Sequence, residues 1–448
     1  MAYNRWTVLV VMCAGYFLVL LDVTIVNVAL PRIGSTLHAN VAGLQWVVDG
    51  YALVLASLLL AGGTIGDLRG HKRVVLTGLT LFGLASLGCG LAPAVGVLIA
   101  ARVIQGLGAA LALPGTLAII SHAFPERGEQ ARAIGIWAGV GSIALPAGPL
   151  LGGALVDGIG WRAVFFVNVP IVLLAGAVAA RVVRESREAQ SRRVDWAGVL
   201  LGGAALAVTI FAVVQHAHWM TWAGAGLLLV VFLTVEHRRA DPMLPLGLFR
   251  RPAFFAANAA AGAMNLGTLG LLFLLTMYLQ TVQHRSALAA GVALLPLFLP
   301  MSVLAPAAGR LTARVGAKLP MTLGLLTAAT GVALLARLHT DSGYGVLLVA
   351  MVLWGSGLGL LTPALVSAAI VAVPARQAGL ASGVNNTARQ AGGAIGIAAF
   401  GALAGSATLG EHFTRAFGVA GLATAALFLL AAGVTVVLVP RHSQTPER

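Results

Sequence analysis

Apolar stretches long enough to cross a bilayer recur along the whole chain, and this recurrence restricts its fold more than any other feature. A membrane-spanning helix needs about 20 consecutive apolar residues. Fourteen such stretches are present, at about 7–30, 43–65, 74–93, 95–121, 133–155, 163–183, 196–215, 221–236, 253–279, 287–309, 319–336, 343–372, 378–405 and 416–439. Open sheets cannot satisfy the backbone hydrogen bonds of their edge strands in hydrocarbon, and the stretches lack the alternation of apolar and polar residues that barrel strands show. The sequence therefore predicts an all-α integral membrane protein with 14 transmembrane helices.

Composition excludes several other classes of protein. Of the 448 residues, 59% are hydrophobic and only 9% are charged, which is too little charge for a large aqueous domain. Cys13 and Cys89 both lie in apolar runs, so neither a disulfide framework nor a metal site is predicted. Lys72 and Lys318 are the only lysines, and neither is followed by Ser or Thr, so the chain carries no phosphate-binding P-loop. We expect no enzymatic activity and no cofactor.

The net charge of +14 is explained by orientation in a membrane rather than by a nucleic-acid partner. With the N-terminus placed inside, most of the 28 Lys and Arg residues fall in the loops on the cytoplasmic side. An excess of basic residues on that side is the usual pattern for membrane proteins. The sequence therefore predicts a multi-pass protein of the bacterial cytoplasmic (inner) membrane with both termini cytoplasmic.

Short motifs recur in the same order in both halves of the chain. The motif Gly63 and Gly70-x-Lys72 recurs as Gly309 and Gly316-x-Lys318, and Gly106-x-Gly108 with Pro114 recurs as Gly355-x-Gly357 with Pro363. Parallel repeats of this kind are one plan of secondary transporters. We predict two pseudo-symmetric six-helix bundles, at 1–183 and 253–448, and a linker at 184–252 that contributes two extra central helices.

Four charged residues lie inside the predicted spans: Asp22, Asp49, Arg102 and Arg389. A charge at the bilayer centre costs between about 3 and more than 10 kcal/mol unless it is paired or hydrated, so each is a functional candidate. Asp22 and Arg102 lie at similar depths, where they could form a purely structural ion pair or take part in proton coupling. Asp49 is nearer the end of its span; we expect it to lie close to water and include it among the proton-coupling candidates.

Polar side chains within the spans are candidates for a substrate cavity. Arg389 lies in a polar stripe. The stripe either lines such a cavity, or its side chains satisfy one another's hydrogen bonds at a helix interface. The complete set of cavity candidates is Asn27, Gln105, Asn265, Asn385, Asn386, Arg389 and Gln390.

Two glycine-containing motifs complete the candidate sites. The segment GTIGDLRGHKR at 63–73 permits a tight turn, and its charges are suited to contact with a neighbouring helix end. Its candidate residues are Gly63, Asp67, Gly70, Lys72 and Arg73. The segment AGPLLGG at 147–153 combines small residues with a proline, so it permits close helix packing and a bend. Its candidate residues are Gly148, Pro149, Gly152 and Gly153.

Taken together, these motifs resemble the fourteen-helix drug:proton antiporter branch of the major facilitator superfamily. The resemblance extends over essentially the whole chain and includes LDVTIVNVALP at 21–31, the 63–73 loop, LIAARVIQGLGAA at 98–110 and AGPLLGG. WVVDGY at 46–51 is similar to actinomycete antibiotic-resistance exporters of the methylenomycin type. Leu68 departs from the family loop, which usually has Arg there, and Ala144 replaces a usual glycine.

The resemblance implies efflux of hydrophobic drug-like molecules by a rocker-switch mechanism, driven by the proton gradient. It links Asp22 and Arg102 to proton coupling, Asp67 to gating and Gly148–Gly153 to antiport. The implied partners are the lipid bilayer, a small hydrophobic substrate and protons, and the protein is expected to be monomeric. Two alternatives stay open: a facilitator that imports a small metabolite, and a membrane sensor or assembly partner that transports nothing.

Overall fold

The computed structural model describes residues 5–185, 194–215, 217–239, 242, 244, 246–338, 343–374, 377–404 and 411–440. Residues 186–193 of the predicted linker therefore lie outside the described residues. The described part of the chain is helical and contains no strand. The predicted all-α membrane fold is confirmed.

The helices follow one another along the chain with short connections. The first nine are α1 (Arg5–Leu37), α2 (Val41–Arg69), α3 (His71–Gly90), α4 (Val95–Ala123), α5 (Arg127–Gly158), α6 (Ala163–Phe166), α7 (Asn168–Val182), α8 (Trp196–Val214) and α9 (Trp219–Arg238). After a 3₁₀ turn at Leu246–Arg250 come α10 (Pro252–Met277), α11 (Ala287–Ala293), α12 (Leu295–Val315), α13 (Lys318–Leu335), α14 (Tyr344–Val371), α15 (Ala378–Ala404) and α16 (Glu411–Leu438).

Thirteen helical stretches among the described residues are long and apolar enough to cross a membrane. Helix α15 has 27 residues, enough for a further span, but it contains the polar run around Arg389. The predicted count of fourteen spans stays a prediction.

Two of the predicted spans are interrupted helices. The stretch at 163–183 forms α6 and α7, which are separated at Val167. The stretch at 287–309 forms α11 and the beginning of α12, which are separated at Leu294 just before Pro296. A proline lacks the amide hydrogen that a continuous helix needs, which accounts for the second break.

The chain divides into two compact units. The first unit comprises Met1–Ala212, Ala217–Met243 and Arg285–Val292, and the second comprises Val213–His216, Leu244–His284 and Ala293–Arg448. Helices α8 and α9 therefore fall almost entirely in the first unit, which also takes in most of α11. The predicted division into two six-helix bundles and a linker is a different partition and stays a prediction.

Corresponding glycine contacts occur inside each unit. In the first, α3 and α4 approach so closely that a methyl group on Gly78 would lie 2.6 Å from the carbonyl oxygen of Gly108. In the second, α13 and α14 meet in the same way, and a methyl group on Gly324 would lie 2.7 Å from the carbonyl oxygen of Gly357. Only glycine permits backbones to approach this closely. The sequence repeat therefore has a counterpart in the packing of each unit.

Candidate functional site

A buried ion pair joins α1 to α4 in the first unit. Nη1 of Arg102 donates a hydrogen bond to Oδ2 of Asp22. The two side chains are 1% and 0% exposed. The salt bridge that the sequence left open is therefore present in the structure.

Three further polar side chains enclose this pair and complete a buried polar cluster of Asp22, Ser86, Arg102, Gln105 and Asn168. Arg102 Nη1 also donates to Gln105 Oε1 at 2.8 Å. The Gln105 amide nitrogen lies 2.9 Å from both Asp22 Oδ1 and Ser86 Oγ. Asn168 Nδ2 lies 3.5 Å from Asp22 Oδ1 and 3.4 Å from Ser86 Oγ. Both carboxylate oxygens of Asp22 thus accept hydrogen bonds.

The guanidinium of Arg102 also contacts α2. Its Nε donates to the carbonyl oxygen of Val47 at 2.9 Å. Its central carbon lies 4.4 Å from the centre of the Tyr51 ring and 6.0 Å from that of Phe165, which are cation–π distances. Tyr51 in turn donates from its hydroxyl to the carbonyl oxygen of Val19 on α1 at 3.3 Å. Arg102 therefore connects α1, α2 and α4 through contacts that depend on its charge.

In this arrangement, protonation of Asp22 would remove the counter-charge of Arg102. A proton on Asp22 would cancel its charge and leave Arg102 with neutral partners in an apolar bundle. Removing one member of a buried ion pair typically costs about 3–5 kcal/mol. Such a cost is large enough to favour another conformation.

Asp49 differs from the sequence expectation. It was expected to lie close to water, but it is 0% exposed. Neither of its carboxylate oxygens has a hydrogen-bond partner. Closeness to the end of a span does not expose a side chain when neighbouring helices cover it.

The predicted cavity residues do not form one cluster. Gln105 belongs to the buried polar cluster, and Asn27 is buried on α1, where its Nδ2 donates to the carbonyl oxygen of Val23 at 2.8 Å. Four other members are half-buried: Asn265 on α10, and Asn386, Arg389 and Gln390 on α15. Their assignment to a substrate cavity stays a prediction.

Asn385 lies at a helix interface, which is the second of the two interpretations given for the polar stripe. Its Nδ2 lies 3.4 Å from both the carbonyl oxygen of Ala257 and Oδ1 of Asn258 on α10. Asn258 is itself buried and donates to the carbonyl oxygen of Phe254 at 2.8 Å. Buried amides of this kind are common between membrane helices.

The 63–73 motif forms the end of α2, a sharp turn and the beginning of α3. Gly70 has a φ of +99°, which only glycine adopts readily. Asp67 pairs with the buried His71, with 3.1 Å between Oδ1 and Nε2. The Gly63 side of α2 faces Pro114 on α4.

The basic residues of this motif contact the end of α7. Lys72 Nζ donates to the carbonyl oxygen of Ala180 at 2.7 Å. Glu185, just beyond α7, accepts from the backbone nitrogen of Lys72 at 3.0 Å and lies 3.5 Å from Arg73 Nε. The expected contact with a neighbouring helix end is therefore present for Lys72 and Arg73, and a lysine at a helix C-terminus satisfies free carbonyl groups.

The AGPLLGG motif brings α5 into contact with two other helices. Gly148 packs against Thr24 on α1, and a methyl group on Gly152 would lie 3.0 Å from the carbonyl oxygen of Ile25. A methyl group on Gly153 would lie 2.5 Å from the Cα atom of Leu288 on α11.

Pro149 and Asp157 extend the contact between α5 and α11. Gly291 of α11 lies against the backbone carbonyl of Pro149. Asp157, at the end of α5, accepts hydrogen bonds from the backbone nitrogens of Ala287 at 3.2 Å and Leu288 at 2.8 Å. The carboxylate therefore caps the first turn of α11.

Several residues of the site had no clear signal in the sequence. Ser86 and Asn168 are single polar residues in apolar spans, and only their position in the fold brings them to Asp22. The group of Val47 that contacts Arg102 is a backbone carbonyl, so the type of residue at this position does not indicate the contact. Among the described residues, no group of three or more His, Cys, Asp or Glu side chains is placed to hold a metal ion.

Comparison with known proteins agrees with the motifs. A family model described as Major Facilitator Superfamily matches residues 12–397. The chain is 39% identical over 415 residues to the multidrug resistance protein Stp of Mycobacterium tuberculosis, covering 90% of this chain and 77% of Stp. It is 33% identical over 448 residues to the methylenomycin A resistance protein of Bacillus subtilis, covering 98% and 95% of the two chains.

Solved structures show the same fold. The crystal structure of the nucleoside transporter NupG matches with a TM-score of 0.70 over 98% of this chain and 100% of that one. Its sequence identity is 12%, so this likeness concerns the fold alone.

Proposed function

The chain belongs to the Major Facilitator Superfamily, and from this premise we propose that it exports drug- or antibiotic-like small molecules across the membrane in exchange for protons. It is a multi-pass membrane transporter rather than an enzyme. Its similarity to proteins named for multidrug and methylenomycin A resistance supports drug efflux. The same names favour export over the alternative of metabolite import.

The observation that carries the proton-exchange part of the proposal is the Asp22–Arg102 pair within the buried polar cluster. In the proposed cycle Asp22 takes up a proton when the transporter opens outward. Its hold on Arg102, or on a cationic substrate, then weakens. When the transporter returns inward the proton leaves and the ion pair forms again. The direct contacts of Arg102 with α1 and α2 support a link between this step and helix movement.

The energy available is sufficient for concentrative export. One proton that enters the cell supplies about 2.3 kcal/mol per 100 mV of membrane potential. It supplies about 1.4 kcal/mol more per unit of pH difference. Since 1.4 kcal/mol corresponds to about a tenfold concentration ratio, one proton supports a substrate gradient of tens-fold to hundreds-fold. We propose no cofactor beyond this gradient.

The remaining site assignments form part of the same proposal. The half-buried polar residues of α10 and α15 contribute to the substrate cavity, the 63–73 motif gates the cytoplasmic side, and the 147–153 motif favours exchange over leak. The protein works as a monomer in the bacterial cytoplasmic (inner) membrane with both termini cytoplasmic; it contains two six-helix bundles and follows a rocker-switch mechanism.

Susceptibility of an efflux-deficient bacterial host tests this function. Expression of the protein is expected to raise the inhibitory concentration of methylenomycin A or of a lipophilic dye such as ethidium. An uncoupler that dissipates the proton gradient is expected to abolish the protection. Unchanged susceptibility across a broad panel, with the protein detected in the membrane, would contradict efflux. Protection that persists with the uncoupler would contradict proton exchange.

A further inference from the structure

We propose that Asp49 is a second proton-binding site, which holds a proton while α2 is packed as in this structure and releases it when that side of α2 opens to water. The proposal deepens the proposed proton exchange and rests on it for its role in the transport cycle. The protonation state of Asp49 does not depend on that role and is measurable without any substrate.

The first argument is the isolation of the Asp49 carboxyl group. The residue is 0% exposed, and neither Oδ1 nor Oδ2 has a hydrogen-bond partner. An ionised carboxylate in such a place would lose its hydration and gain nothing in return, which costs several kcal/mol. A protonated carboxyl group has no net charge, and its burial costs far less. The geometry therefore favours the neutral form.

The second argument is that no nearby charge offsets an ionised Asp49. Helices α1, α3 and α4 pack against α2, and Gly203 of α8 lies against Ser57 of α2; α8 carries no charged or titratable side chain. The charged and titratable side chains on these helices are Arg5, Cys13, Tyr16, Asp22, Arg32, His71, Lys72, Arg73, Cys89, Arg102 and His122, together with Tyr51, Asp67 and Arg69 on α2 itself. Within the described part of the chain, none of them forms a hydrogen bond or an ion pair with Asp49.

The third argument separates Asp49 from the buried polar cluster. Tyr51 stacks on Arg102 and so marks the side of α2 that faces α4. Two residues along a helix correspond to a rotation of about 200°, so Asp49 lies on roughly the opposite side of α2. Its carboxyl group therefore lies outside the hydrogen bonds of the buried polar cluster.

The two acids consequently lie in different surroundings in this conformation. Both oxygens of Asp22 accept hydrogen bonds, one of them from a guanidinium, so Asp22 is suited to the ionised form. Asp49 is suited to the protonated form. On release, the O–H bond of the Asp49 carboxyl group breaks, the proton passes to water on the cytoplasmic side, and the carboxylate that remains is stabilised by hydration. Uptake of a proton from the outer side restores the neutral form.

Infrared difference spectroscopy tests the protonation state directly. Purified wild-type protein in liposomes near neutral pH is compared with the variants Asp49→Asn and Asp22→Asn, with Glu236→Gln as a control that removes a buried carboxyl group of α9. We expect the carbonyl stretch of a protonated carboxyl group to be present in wild type and in Asp22→Asn but lost in Asp49→Asn. Asp49→Glu is expected to shift this band, which preserves the test if Asp49→Asn does not fold. A spectrum in which neither substitution at Asp49 changes the band would overturn the proposal.

Transport in everted vesicles supplies a readout of the role in the cycle, with ethidium as the probe. Asp49→Asn is expected to retain exchange of ethidium down its gradient. Under an imposed pH gradient, this variant is expected to accumulate less ethidium than wild type. Loss of one exchanged proton lowers the accumulation ratio about tenfold per unit of pH difference. Glu236→Gln is expected to match wild type. Full pH-driven accumulation by Asp49→Asn would overturn the transport role. If wild type moves no ethidium or other panel compound, the proposed function fails, while the infrared result stands by itself.

Discussion

At the scale of single residues, Arg102 is the most constrained side chain of the site. It donates to a carboxylate, a side-chain amide and a backbone carbonyl, and its guanidinium faces an aromatic ring. Arginine is suited to this position because its planar group donates in several fixed directions and also stacks on rings. Lysine would supply the charge but could not reproduce this geometry.

The first prediction concerns the Asp22–Arg102 pair. Asp22→Asn is expected to abolish uncoupler-sensitive efflux because the variant side chain can no longer gain or lose a proton. It is also expected to destabilise the protein by about 3–5 kcal/mol, since Arg102 loses its counter-charge. Efflux of the panel compounds and thermal unfolding of the purified protein measure the two effects.

A double variant separates structure from function. Asp22→Asn combined with Arg102→Gln removes both charges, so stability is expected to recover in part while efflux stays absent. Glu129→Gln is a matched control, because it removes an acid whose ion pair with Arg5 is partly exposed, and it is expected to behave like wild type. Full efflux by Asp22→Asn would contradict the coupling role.

At the scale of helices, small residues determine which elements can meet. The second prediction concerns the contact between α5 and α1. Gly148→Ala places a methyl group against Thr24, so the two helices must separate or bend, and efflux is expected to fall at least tenfold. Gly139→Ala on the same helix is the matched control, because nothing lies within 4 Å of its position. Equal activity of the two variants would show that close packing here is dispensable.

The third prediction concerns the cap of α11. Asp157→Ala removes the acceptor of two backbone amides in the first turn of this seven-residue helix. Loss of a helix cap costs about 0.5–2 kcal/mol. Amide hydrogen exchange in Ala287–Ala293 is therefore expected to speed up by about 2- to 30-fold. Asp67→Asn serves as a control that leaves this exchange unchanged. Unaltered exchange in Asp157→Ala would mean that other contacts hold the helix.

Helix positions were largely predictable from the sequence, because hydrocarbon forces a helical backbone wherever the chain is apolar for long enough. The interruptions at Val167 and Leu294 were not, since hydropathy continues across both. The Asp22–Arg102 contact was foreseeable from equal depth and opposite charge. Two features could not be predicted: the burial of Asp49 and the position of Asn168 beside Asp22. Both depend on how helices pack around one another rather than on any local pattern.

At the scale of the whole molecule, the fourth prediction concerns the number of crossings. If α8 and α9 both cross the membrane, fusions after Val183 and after Val439 lie on the cytoplasmic side, and a fusion at Ala217 lies outside. A fluorescent-protein fusion is expected to fluoresce at the first two positions, and an alkaline phosphatase fusion is expected to be active at Ala217. Gly160, between α5 and α6, is a second external position for comparison. Phosphatase activity after Val439 would require an odd number of crossings.

The paired glycine contacts have a consequence for the membrane around the protein. Helices α3 and α13 have 20 and 18 residues, so they measure about 30 and 27 Å, close to the thickness of the hydrocarbon layer. Their partners α4 and α14 have 29 and 28 residues. Because backbone contact holds each short helix against a long one, the short helix cannot shift along its axis by itself when the bilayer is thicker. A bilayer with longer acyl chains must therefore thin beside α3 and α13, and such lipids are expected to slow transport.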